Sequence, residues 1–104
     1  MKNETKEQIA LIEDDEDTSE ITEAFFRQHG FQVHRFSSAE PVLQKLKEDP
    51  CHHEFDVILS DMMLPEMSGL DLVQNLKENN IEVPVILVTA NNDLELAVRA
   101  IEAG

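Results

Sequence analysis

Cationic side chains are scarce in this 104-residue chain: Lys and Arg total 8 against 22 Asp and Glu, a formal net charge of -14 at pH 7. Phosphate backbones are held by cations, so this deficit argues against a free-standing nucleic-acid binder, and it disfavours an anionic membrane surface for the same reason. Cysteine is nearly absent. Cys51 alone cannot staple the fold, and a zinc site would need more sulfur nearby, so a reducing cytoplasm is the expected setting. Apolar runs stay well short of the roughly 18 residues that mark a membrane span. The polar stretch Met1 to Gln8 lacks the apolar centre of a secretory signal. What remains is an apolar content of 41%, ordinary for a globular domain and too high for a disordered acidic tail. The length predicts a single domain over residues 1–104. Domains of this size bury only about 60–70% of their extended surface, so few uncompensated charges can sit near the core. The positions of the acids are therefore informative.

Apolar runs alternate with helical patterns. Ile9-Ala10-Leu11-Ile12 ends abruptly in Glu13-Asp14-Asp15-Glu16-Asp17. A helix follows on Ile21, Ala24 and Phe25, stopped by His29-Gly30. Phe25 and its neighbour Phe26 divide between core and partial exposure. The mixed segment Phe31 to Phe36 suits a half-exposed edge strand. Ser37 and Glu40 have the spacing of a capping box for a helix carrying Val42, Leu43 and Leu46. Phe55 to Ser60 is a second apolar run and also ends on an acid, Asp61; Met62 to Gly69 reads as a loop. Ser68 and Asp71 predict another capping box, ahead of Leu72, Val73 and Leu76, with Asn79-Asn80 as the stop. Val85 to Thr89 is the most β-branched run, and Leu94, Ala97, Val98 and Ile101 trace an amphipathic helix. The order β-α-β-α-β-α-β-α, with largely apolar strands covered on both faces, predicts a three-layer, doubly wound parallel α/β sheet.

In such sheets ligands gather beyond the carboxyl ends of the strands. If the first and third strands are neighbours, Glu13, Asp14 and Asp61 converge. Clustered carboxylates repel, so either one takes up a proton or a cation neutralises them. Oxygen ligands without Cys or His favour Mg²⁺ over zinc or copper. Glu16 and Asp17 are better read as complementing a helix dipole. A phosphate cradle fails here, because the turn after the first strand holds acids instead of Gly and Lys. A metal-assisted aspartate can instead take up a phosphoryl group covalently. Thr89, with the small Ala90 beside it, stands where a hydroxyl could reach that group; on its own it is an ordinary strand residue. The four histidines, His29, His34, His52 and His53, suggest a metal site, but the adjacent loop pair His52-His53 reads as solvated side chains and Cys51 as a bystander. Met62, Met63 and Met67 read either as a partner patch or as packing under the loop.

The Glu13-Asp14 pair, the stretch Ser60-Asp61-Met62-Met63-Leu64-Pro65-Glu66-Met67-Ser68-Gly69, and Val88-Thr89-Ala90 together resemble the receiver domain of bacterial two-component response regulators. The resemblance runs from about residue 8 to the end. It implies a flavodoxin-like fold of strand order 2-1-3-4-5. It also implies Asp61 as phosphoacceptor and Mg²⁺ held by Glu13, Asp14, Asp61 and the backbone carbonyl of Met63. Thr89 would be the switch hydroxyl, with Met62 and Ala90 as neighbours of the phosphoryl group. The implied partners are a sensor histidine kinase or phosphotransfer protein, a downstream output domain that controls transcription, and a second copy of the chain. No nucleic acid or membrane is expected to bind this domain, and chemistry is limited to self-phosphorylation and self-dephosphorylation. The family's fifth strand, its Lys and its fifth helix would begin just after Gly104, so a truncated piece of a longer polypeptide is the expectation. Lys47 and Lys77 lie on helices and cannot substitute. The competing reading is a non-phosphorylated, receiver-like interaction or dimerisation module.

Overall fold

The computed structural model describes residues 7–49, 54–61, 67–88, 98, 99 and 101. Its elements run β1 (Gln8–Ile12), α1 (Glu16–Gln28), β2 (Gln32–Phe36), α2 (Ala39–Glu48), β3 (Val57–Asp61), α3 (Gly69–Glu78) and β4 (Val85–Val88). Residues 98, 99 and 101 are also helical. The four strands form one sheet in the order β2-β1-β3-β4, and every neighbouring pair is parallel. The first and third strands are therefore neighbours, with Ile9 beside Val57 and Ile12 beside Ser60.

Alternation along the central strands sorts their side chains between two cores. Ala10, Ile12 and Ile58 pack with Val42, Leu43 and Leu46 of α2 and Leu72 and Leu76 of α3. Ile9, Leu11, Val57 and Leu59 face the other way, against Phe26 of α1, Phe31 and Val98. Helices thus cover both faces, which is why β1 and β3 carry unbroken apolar runs. On β4 the four apolar residues are half-buried. β2, at the opposite edge, is the mixed strand, with Gln32 and Arg35 exposed or half-exposed and Val33 buried.

Helix ends follow local chemistry. At the end of α1, the Gly30 N–H donates to Arg27 and the Phe31 N–H to Phe26, with Gly30 at φ +89°. This is a Schellman closure, sealed by the Phe26 and Phe31 rings 5.8 Å apart. α3 ends the same way: Asn80 takes φ +56°, its N–H donates to Lys77, and the Ile81 N–H donates to Leu76. At its start Ser68 and Asp71 form the capping box in full.

Two helical expectations are corrected. α1 buries Ser19, Thr22 and Phe26, while Ile21 is 67% exposed and Ala24 lies on the outer side. The apolar spacing pointed to the wrong face, because small hydroxyl residues lie against the sheet and Phe26 provides the anchor. α2 begins one residue later than the Ser37 box implies: Ser38 occupies the cap position and its side chain makes no capping hydrogen bond. Phe25 and Phe26 do divide as expected, with Phe26 buried and Phe25 partly exposed at 5.5 Å between ring centroids.

Candidate functional site

The site stands at the carboxyl ends of β1 and β3. Glu13 follows the last residue of β1 and is tied to the neighbouring strand by its N–H, which donates to the Phe36 carbonyl at 2.9 Å. Its carboxylate accepts the Asp15 N–H at 3.0 Å. Asp15 starts α1: its carboxylate accepts the Thr18 N–H at 2.8 Å and the Thr18 hydroxyl at 2.6 Å. These bonds hold the Asp15 carboxyl below the ordinary aspartate range. Glu16 and Asp17 occupy the first turn of the helix, as the dipole reading requires.

Asp61 is the last residue of β3, and sheet order brings it to Glu13 and Asp14. Each of the three offers a carboxylate oxygen, and these oxygens lie within 4.8 Å of one another. Glu13 and Asp61 are half-buried and Asp14 is exposed. The crowding registers on Glu13. Burial is the main cause that raises its carboxyl above the ordinary glutamate range, and the neighbouring charges of Asp61 and Asp14 add to it; the Asp15 N–H works in the opposite direction. An all-oxygen set with one exposed member fits a hard divalent cation reached from solvent, so the donor chemistry suits Mg²⁺. A small cavity of about 40 Å³ lies beneath, lined by Glu13, Thr18, Thr22, Ser60 and Asp61.

Of the residues singled out from sequence, Glu13, Asp14 and Asp61 are brought together. Met62, Met63, Thr89 and Ala90 lie outside the described residues, as do Cys51, His52, His53, Leu94 and Ala97. Val98 is buried and Ile101 partly buried, both against the α1-side core. Met67 packs against the core under α2 and α3. The other two histidines bond within the protein, His29 to the Phe25 carbonyl at 2.9 Å and His34 to the Gln8 side chain at 2.7 Å. Two contributors escaped the sequence reading. The Asp15 cap was legible in Asp followed three positions on by Thr. Ser60 is a buried polar residue that only its surroundings make notable.

A parallel α/β sheet covered by helices on both faces, with a carboxylate cluster at the carboxyl ends of its two central strands, belongs to the doubly wound class whose ligand crevice lies at that rim. A family model described as the response regulator receiver domain matches residues 9–104, and the chain belongs to that family. Among curated relatives, the response regulator protein TodT of Pseudomonas putida is 34% identical over 96 residues, covering 92% of this chain and 40% of TodT. The DNA-binding transcriptional regulator NtrC of Proteus hauseri is 33% identical over 99 residues, covering 95% of this chain and 20% of its own. Among solved structures, full-length FixJ from B. japonicum superposes with a TM-score of 0.72 at 29% identity, covering 97% of this chain and 48% of that one. The chain spans two fifths or less of the length of these two curated relatives. Among the described residues, no helix is long and apolar enough to cross a membrane.

Proposed function

We propose that this domain is a phosphorylation-controlled switch in which Asp61 is the phosphoacceptor. The observation that carries the reading is the convergence of Glu13, Asp14 and Asp61, from two strand ends, within 4.8 Å. A carboxylate oxygen of Asp61 attacks the phosphorus of a phosphohistidine on a kinase or phosphotransfer protein. The P–N bond breaks, the imidazole leaves with the electron pair and takes a proton from water, and an acyl phosphate remains on Asp61. Glu13, Asp14 and Asp61, with the Met63 backbone carbonyl, would hold Mg²⁺. When bound, Mg²⁺ offsets the charge of the carboxylates and of the transferring oxygens. Thr89 is the hydroxyl proposed to follow the phosphoryl group, flanked by Met62 and Ala90, and its movement biases the surface offered to an output domain. Transcriptional control in the cytoplasm is the response we infer, in keeping with the printed role of the relative NtrC.

Acetyl phosphate and Mg²⁺ added to the purified protein test this directly by intact-mass spectrometry. The expected result is the gain of one phosphoryl group, abolished by EDTA and by Asp61→Asn. A protein that binds Mg²⁺ yet gains no mass, or an Asp61→Asn variant that gains it equally, overturns the reading.

A further inference from the structure

β3 interrupts its apolar run one residue before Asp61. Ser60 is 1% exposed, in a strand whose preceding residues are Val57, Ile58 and Leu59. A hydroxyl so placed must be hydrogen-bonded or it destabilises the fold. Its Oγ donates to the Asp61 carbonyl oxygen at 2.9 Å.

The position of that carbonyl gives the bond its meaning. The β1–β3 ladder stops at Ile12 and Ser60, while the β3–β4 ladder runs one residue further, to Asp61 and Val88. Successive strand residues direct their backbone polar groups to opposite neighbours. The Ile58 N–H donates to Pro84, on the β4 side. By alternation the Asp61 carbonyl faces β1, one step past the last β1–β3 pair. The Ser60 hydroxyl reaches the Asp61 carbonyl at the point where the β1–β3 ladder ends.

We propose that Ser60 is a positioning residue for Asp61: its buried hydroxyl fixes the Asp61 peptide at the end of β3 and thereby holds the carboxylate toward Glu13 and Asp14. The proposal rests on the reading of Asp61 as phosphoacceptor. Ser60 is not one of the three clustered carboxylates, and its role is through backbone orientation. Small misplacements of a reacting group carry large rate penalties, so loss of this bond acts on the transfer step.

The test compares wild type with Ser60→Ala, Ser60→Thr, Asp61→Asn and the stability control Ile58→Val. The readouts are the acetyl phosphate reaction rate at saturating Mg²⁺, Mg²⁺ affinity by calorimetry on the unphosphorylated protein, and thermal midpoint. Ser60→Ala is expected to slow phosphorylation about tenfold at saturating Mg²⁺ and to weaken Mg²⁺ binding severalfold. Ser60→Thr, which keeps the hydroxyl, is expected to stay within about twofold of wild type. Ile58→Val is expected to lower the midpoint and leave the rate unchanged, which separates positioning from general stability. If Ser60→Ala does not fold, Ser60→Cys, close in size but a weak donor, replaces it. A wild-type rate in Ser60→Ala, or a Ser60→Thr variant as slow as Ser60→Ala, overturns the proposal while Asp61 stands as phosphoacceptor. Absence of phosphorylation in the wild type overturns the phosphoacceptor reading and this inference together.

Discussion

Glu13 and Asp61 close two adjacent parallel strands, and their carboxylates, with that of Asp14, come within 4.8 Å of each other. No cationic residue is among these three. The arrangement is tolerable because Asp14 remains in water and Glu13 holds its proton more tightly than an ordinary glutamate.

That strain has a sign. A carboxylate whose folded pKa is raised contributes stability below its unfolded pKa and loses that contribution as pH rises through the folded value. The metal-free domain should therefore lose this site's contribution as pH rises above the ordinary glutamate range, and stabilisation by Mg²⁺ should grow over the same interval. Asp61→Asn removes one of the repelling charges. We expect it to raise the metal-free melting temperature by a few degrees at pH 7 and to abolish most of the Mg²⁺-dependent rise. Thermal melts in EDTA and in Mg²⁺ across pH check both statements.

Asp15 behaves in the opposite sense. Its carboxyl is held low by Thr18, so the stabilisation it supplies is present above its unfolded pKa and lost as pH falls through the folded one. Asp15→Ala should destabilise the domain at neutral pH and remove that part of the acid-induced loss, as pH-dependent denaturant titrations would report.

Gly30 lies at φ +89°, with nothing within 4 Å of where a Cβ would stand. The cost of Gly30→Ala is therefore backbone strain alone, about 1–2 kcal/mol, and Gly30→Asn should cost less, because Asn enters the left-handed region more readily. Urea unfolding measures the difference. Equal losses in both variants would mean that the Schellman closure is not what these substitutions disturb.

The two serine caps should separate cleanly. Ser68→Ala breaks a reciprocal capping box and should cost about 1 kcal/mol. Ser38→Ala removes a side chain that makes no capping bond and should fall within about 0.5 kcal/mol of wild type.

The inner face of α1 is tested by a pair of substitutions. Ile21→Gln, on the exposed side, should change stability by no more than about 0.5 kcal/mol. Phe26→Ala, at a fully buried position, should cost about 3–5 kcal/mol. If Ile21→Gln proves the more costly, the assigned rotation of α1 is wrong.

Much of this architecture was readable from local pattern. Ile9 to Ile12 and Val57 to Leu59 are apolar throughout, as a strand covered on both faces requires, and acids follow each within two residues. Gly30 and Asn80 mark helix ends because the left-handed conformation admits few other residues. The rotation of α1 was not readable. Ile21, Ala24 and Phe25 offered an apolar stripe, but the face laid on the sheet carries Ser19, Thr22 and Phe26, with Phe26 also packed against Phe31 past the helix end. Nor did the Ser37 spacing reveal that α2 starts from Ser38 without a side-chain cap.

Taken alone, the chain's order of residues determined which segments extend, which coil, and where acids interrupt apolar runs, because those outcomes follow from backbone preference and side-chain period within a few neighbours. Local pattern left the meeting of Glu13, Asp14 and Asp61 conditional on β1 lying beside β3, an order that only the family resemblance implied. The tertiary structure shows that order and that meeting, and it alone decided the Ser60 bond to the Asp61 carbonyl. Strand order is set by how two helical layers fill both faces of one sheet. That is a property of the whole packed chain, and no local window contains it.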